Sequence, residues 1–164
     1  GDDTPAALQG VPAYLTCSGA CLCRGSTGVG GSHPRPGIFV SIVSFCDPET
    51  AYTVINLFER AERPDRIRVG IVWQAKAEDV SVHMQPLEGT RWRRYVREIR
   101  LDWREATGPC RARHLAASLW AGEAHALQID SHMRFAAGWD AALLDNLQQA
   151  EEIAGHHKAG LAHS

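Results

Sequence analysis

Residues 38–45 read IFVSIVSF, a run of β-branched and aromatic side chains that stays largely apolar where a half-exposed strand would alternate. Such a run suits a strand covered on both faces. Asp47-Pro48-Glu49-Thr50 follows at once. Asp is a favoured N-cap, Pro is preorganised for the first helical position, and Glu suits the positive end of the helix dipole. Val54, Ile55, Phe58 and Ala61 recur at helical spacing and predict a helix over residues 48–62 with one apolar face. Arg63-Pro64-Asp65 closes it, and residues 67–73, IRVGIVW, read as a second strand. Two strands joined through a helix make a βαβ unit, which implies a parallel sheet with helices on its faces.

The rest of the chain extends this pattern. Residues 74–94 are polar and yield no assignable element, while YVREIRL (residues 95–101) alternates like an edge or half-buried strand. Gly108-Pro109 turns into a helix over residues 110–121, and AHALQI (124–129) reads as a further strand ending at Asp130-Ser131-His132. Gly138-Trp139-Asp140 opens a last amphipathic helix with Leu143, Leu144 and Leu147 as its stripe. The expected fold class is α/β, a mainly parallel sheet of about four strands with helices on both faces, covering residues 38–153. Residues 1–37, rich in Gly, Ser, Pro and Cys, read as a flexible leader, and residues 154–164 as an unstructured tail.

Composition narrows the function. The 164 residues suit one domain or part of a larger one, and Lys+Arg 17 against Asp+Glu 19 argues against an electrostatic grip on nucleic acid or an anionic membrane. No apolar run approaches the roughly 20 residues that span a bilayer, and the opening GDDTPAALQG lacks a basic region followed by an apolar stretch. Five cysteines are an odd number, so a complete disulfide framework is excluded. Cys17, Cys21 and Cys23 have a C-x3-C-x-C spacing that either holds a soft metal or comprises ordinary thiols. Ordinary thiols, and a reducing cytoplasmic location, are the expectation.

Asp130-Ser131-His132 stands at the carboxyl end of a predicted buried strand, where open α/β sheets collect ligands. A carboxylate and an imidazole two residues apart can face one divalent cation. The oxygen–nitrogen pair suits Mn²⁺, and Mg²⁺ less well. Equally, Asp130 can cap the turn and His132 can be a solvated loop residue. The Arg91, Arg93, Arg94 and Arg97 cluster reads either as an attractor of diphosphate or an acidic acceptor, or as a solvated basic face.

Taken together, IFVSIVSFCDPET, IRVGIVWQ, GPCRARHLAASLW, HALQIDSHMRF and GWDAALL resemble the glycosyltransferase family that adds N-acetylglucosamine in α linkage to polypeptides. Its eukaryotic members modify hydroxyproline on a ubiquitin-ligase subunit or threonine on mucin-like surface proteins. The same order of motifs is similar to the polypeptide N-acetylgalactosaminyltransferases, in which an Asp-x-His stands in the same place. The resemblance covers roughly residues 38–149 and implies a GT-A type fold with UDP-N-acetylglucosamine as donor. It implies Asp130 and His132 as metal ligands, with the metal bridging the donor phosphates, and Ser131 touching ribose or sugar. Arg113 matches an arginine that contacts the donor in the galactosamine enzymes; read alone, it is a surface arginine on a helix.

Ser44 and Asp47 end the first strand, where base and ribose lie in this fold, and Asp47 also has a structural role as N-cap. Trp73-Gln74 stand where the galactosamine enzymes place an acidic residue against uracil, so Gln74 would read the base and Trp73 would stack on it. Trp139 reads as core packing that anchors the last helix. A transferase of this type usually continues well past the metal motif and supplies a third ligand there. The chain is therefore expected to be the nucleotide-binding half of such an enzyme. The implied activity is metal-dependent, retaining transfer of N-acetylglucosamine to a hydroxyl of a polypeptide or similar acceptor, with no membrane segment and no nucleic-acid partner. The alternative is a non-catalytic, truncated nucleotide-sugar-binding module, and a third reading is a metal-binding protein that uses the cysteine-rich leader.

Overall fold

The computed structural model describes residues 21–24 and 35–161, with side chains described from Pro36 to Ala154. Its elements run β1 (Cys21–Arg24), β2 (Arg35–Phe45), α1 (Thr50–Arg60), β3 (Ile67–Gln74), α2 (Ala77–Glu88), β4 (Val96–Leu101), α3 (Pro109–Ala117), β5 (Glu123–Asp130) and α4 (Trp139–Leu161). Strand order across the sheet is β1-β5-β2-β3-β4. β2, β3, β4 and β5 are mutually parallel, and β1 runs antiparallel along β5. The fold is α/β, as the βαβ pattern implies.

β2 sits between two parallel neighbours, and both of its faces are covered. On one face Ile38, Val40 and Ile42 join Val54, Leu57 and Phe58 of α1, Val80, Met84 and Leu87 of α2, and Trp139 of α4. On the other, Val72 of β3 meets Ala112 and Ala116 of α3, with Val43, Ile99 and Leu101 packed alongside. The strand order advances from β2 through β3 to β4 and then returns to β5, so right-handed crossovers carry α3 to the opposite face from α1 and α2. Gly70 is required on that face, because an added Cβ would enter the ring of Phe39.

Four departures from the sequence reading have physical causes. β1 lies inside the stretch read as leader and adds a fifth strand; its pairing with β5 is a backbone interaction across a long separation, which leaves no periodicity to detect. β2 begins at Arg35, upstream of Ile38, with an irregularity between the two residues. Gly37 there has φ 147°, and a side chain would meet the Arg66 carbonyl. α2 occupies the polar stretch left unassigned, since only Val80, Met84 and Leu87 of its 12 residues are buried. α4 continues to Leu161, so its backbone is helical through most of the segment read as an unstructured tail.

The basic cluster is largely engaged within the fold. Arg93 pairs with Glu88 at 3.1 Å and Glu98 at 3.2 Å, while Arg91 and Arg94 stack over Trp92 and Tyr95. Arg97 donates to Glu123 at 2.8 Å and to the Leu119 carbonyl at 2.6 Å. Cys110 is disulfide-bonded, and disulfides are uncommon in a reducing compartment. Cys46 is a free, exposed thiol. Cys17 and the side chains of Cys21 and Cys23 lie outside what is described.

Leu57→Ala should cost about 2–5 kcal/mol in urea unfolding because it opens a cavity in the larger core. Val82→Ala, on the exposed side of α2, should stay within about 0.5 kcal/mol. Burial pushes the Glu123 carboxyl up, but hydrogen bonds from Arg97 and the Ala121 N–H outweigh it and hold the pKa below the ordinary value. A carboxyl lowered in the folded state stabilises the fold above its unfolded pKa, and that contribution disappears as pH falls through the folded one. Glu123→Gln should therefore lower the urea midpoint near neutral pH, with the gap to wild type closing as pH falls through the lowered folded pKa.

Candidate active site

Strand order reverses at the β2/β5 pair, the point at which open α/β sheets bind ligands outside the carboxyl ends of their strands. Val43 is in register with Asp130, so the chain leaving β2 and the chain leaving β5 emerge side by side. After β2, Cys46 adopts a left-handed backbone (φ 49°), and its N–H donates to the Gln74 carbonyl at 3.1 Å. Asp47 follows. Its Oδ1 accepts from the Glu49 N–H at 2.9 Å, closing the turn into α1. Its Oδ2 accepts from the Ser131 hydroxyl at 2.5 Å and lies 3.2 Å from His132 Nδ1. One carboxylate thus holds the turn before α1 and reaches across to the Asp-Ser-His motif; the N-cap is Glu49 and α1 begins at Thr50, which corrects the expectation that Asp47 caps the helix.

Burial acts to raise the Asp47 pKa. The hydrogen bonds from Ser131, from the Glu49 N–H and from His132, together with the charge of His132, outweigh it and leave the carboxyl below the ordinary value. Asp130 projects outward with its side chain 63% exposed, and its Oδ1 lies 3.8 Å from Nη2 of Arg113, which α3 supplies from the far side of the sheet. The structure therefore brings Asp47, Arg113, Asp130, Ser131 and His132 to one end of the sheet.

Other candidate residues lie inside the fold. Ser44 is fully buried, its hydroxyl 2.7 Å from that of Thr50, and it shapes the turn into α1. Gln74 is 4% exposed at the end of β3. Trp73 is wholly buried and its indole N–H donates to Glu98 at 3.1 Å, which corrects the expectation that it stacks on a base. Trp139 is buried and its indole N–H donates to the Leu57 carbonyl at 2.8 Å, as core packing implies.

A family model described as Glycosyltransferase (GlcNAc) matches residues 37–94 and 81–164. The chain belongs to this GlcNAc glycosyltransferase family. No curated protein and no solved structure matches it. Membership supports a transferase of N-acetylglucosamine, which implies a sugar donor and an acceptor. The matched span begins at β2 and includes every residue of the cluster just described. Among the described residues, no helix of this GlcNAc glycosyltransferase is long and apolar enough to cross a membrane.

Asp130 and His132 offer a carboxylate oxygen and an imidazole nitrogen on exposed side chains, a donor pair that fits Mn²⁺ chemically. Among the described residues, no group of three or more His, Cys, Asp or Glu side chains is arranged to hold a metal ion. In this glycosyltransferase the sequence reading overlooked Arg134, which lies two residues beyond His132 and pairs with Glu49 of the α1 entry at 2.5 Å. It also overlooked the exposed Phe45 at the end of β2. Both sit in or beside loops, where no periodicity distinguishes a site residue from a connecting one.

Asp47→Asn should destabilise the fold near neutral pH. Because the folded pKa is lowered, the carboxylate's contribution is present above the unfolded value and is lost as pH falls through the folded one. Urea midpoints of wild type and variant should therefore converge on acidification, and a gap independent of pH would contradict this account of Asp47.

Proposed function

We propose that the chain transfers N-acetylglucosamine from UDP-N-acetylglucosamine to a hydroxyl of a polypeptide or similar acceptor, with a divalent metal and with retention at the anomeric carbon. The observation that carries this reading is the meeting of Asp130-Ser131-His132 with Asp47 where strand order reverses, in a chain of the GlcNAc glycosyltransferase family. The order of the five segments running from IFVSIVSFCDPET to GWDAALL supports the polypeptide-directed members and a GT-A type of fold.

In this reading Asp130 and His132 hold Mn²⁺, or less favourably Mg²⁺. When bound, the metal supplies Lewis-acid neutralisation of the charge that develops on the departing UDP. Arg113 exchanges its 3.8 Å contact with Asp130 for phosphate or sugar oxygens, which a guanidinium can fork onto. Asp47 holds the Ser131 hydroxyl and faces the His132 ring, and so sets the orientation of both. Asp47 and Ser131 flank the ribose and sugar, with Ser44 and Gln74 beneath the nucleoside at the ends of β2 and β3.

A second reading is a non-catalytic nucleotide-sugar-binding module. It is favoured by one observation: Asp130 and His132 each face a partner of their own, Arg113 and Asp47. The purified chain is given UDP-N-acetylglucosamine, Mn²⁺ and hydroxyl-bearing peptides, and free UDP and peptide mass are followed. Turnover supports the transferase, whereas calorimetric binding of the donor without product selects the module. Asp130→Ala should abolish Mn²⁺-dependent UDP binding, and unchanged affinity would remove Asp130 from the metal site.

A further inference from the structure

The loop that carries the motif is fastened to α1 by one buried hydroxyl. Thr53 is fully buried, and its Oγ1 donates to the Ser131 carbonyl at 2.7 Å. The same oxygen accepts from the Met133 N–H at 3.1 Å and from Arg134 Nη1 at 3.4 Å. A threonine hydroxyl has one proton and two lone pairs, so its whole capacity is directed at residues 131–134. Threonine inside a helix commonly turns its hydroxyl back onto its own preceding turn. Here it crosses to a segment 78 residues away.

The two backbone contacts bracket His132. The carbonyl before it and the amide after it are both held by Thr53 Oγ1, while the ring itself points into solvent with a side-chain exposure of 68%. A loop histidine exposed to that degree has little packing to restrain it. Its backbone, however, is pinned from both sides by a β-branched residue with a restricted χ1. One turn further along α1, Asn56 Oδ1 accepts from the Phe135 N–H at 2.8 Å and extends the same attachment.

From this geometry we infer that Thr53 is a positioning residue of the transferase site: its hydroxyl sets the backbone of Ser131-His132-Met133, and through it the placement of His132 and Arg134 toward the donor. The inference rests on the proposed donor site, and Thr53 itself touches neither donor nor metal. Its role is distinct from that of Asp47, which meets the side chains of Ser131 and His132 and leaves their backbone alone.

The test uses the full chain with labelled histidine, the His132 ring resonance being assigned by its loss in His132→Gln. Ring resonances are recorded in the free protein, and Mn²⁺-dependent UDP affinity is measured by calorimetry, for wild type, Thr53→Val and Thr53→Ser. Thr53→Val should displace or double the His132 resonance and weaken UDP about tenfold or more, since the two backbone hydrogen bonds that hold the loop are lost together. Thr53→Ser should restore both. An unchanged His132 resonance in Thr53→Val overturns the inference, as does a displaced resonance with unchanged UDP affinity. Equal impairment by valine and serine overturns it too, since the methyl and not the hydroxyl would then matter. If valine does not fold, Thr53→Ala takes its place; failure of both to fold means that the hydroxyl serves the fold, and the inference falls. If wild type binds no UDP, the proposed donor site is wrong, and the His132 resonance alone then decides whether Thr53 positions the loop.

Discussion

β2 is hydrogen-bonded to a parallel strand on each side, with helices over both faces, and the remaining architecture depends on that position. A parallel strand cannot be joined to its neighbour by a tight turn. Each neighbour of β2 therefore has to be reached by a crossover, and the crossovers supply the two covering layers. Because β3 and β4 lie to one side of β2 and β5 to the other, the segments that leave β2 and β5 emerge together. Asp47 belongs to the first and Asp130-Ser131-His132 to the second. Their meeting follows from the order of the strands, although Asp47 and Asp130 stand 83 positions apart along the chain.

α1 ties the two segments together over most of its length. Thr53 and Asn56 hold residues 131–135, the Arg60 carbonyl accepts from the Gly138 N–H at 2.8 Å, and the Leu57 carbonyl accepts from the Trp139 indole. Past its carboxyl end, Asp140 accepts from the N–H groups of Glu62 at 2.7 Å and Arg63 at 2.8 Å. Each such bond contributes on the order of 1 kcal/mol, and leaving a buried partner unpaired costs more than that. The loop after β5 is thus fixed on a rigid helix, and that helix is in turn held by the larger core through Val54, Leu57 and Phe58.

Charge is distributed to match. At the amino end of β5, Glu123 is 4% exposed and fully engaged with Arg97 and the Ala121 N–H, a closed arrangement that serves stability. At the carboxyl end the ion pairs are open. Asp130 faces Arg113 at a long 3.8 Å, and Arg134 and Glu49 are both about half exposed. The half-exposed Arg134–Glu49 pair contributes little to stability. The two ends of one strand thus differ, with a closed ion pair at one and open, partly exposed charges at the other.

By itself the sequence determined the class of fold and that Asp130-Ser131-His132 stands where a strand ends. An apolar run of strand length, an Asp-Pro-Glu turn and a second apolar run specify a βαβ unit through local physics alone; β3 follows that reading closely, while β2 starts three residues earlier and α1 two residues later than expected. Asp130-Ser131-His132 was legible because it interrupts an apolar strand at its carboxyl end. α2 was hidden, because three buried side chains in twelve leave too weak a stripe. β1 was hidden because its partner is β5, far along the chain. Only the tertiary structure decided that Asp47 lends one oxygen to the turn before α1 and the other to the motif, that Arg113 reaches Asp130 from the opposite face, and that Thr53 fastens the loop. Local propensity and periodicity describe neighbours along the chain. Those three contacts join residues 17 to 84 positions apart, and side chains so separated meet only when the sheet has brought their strands side by side.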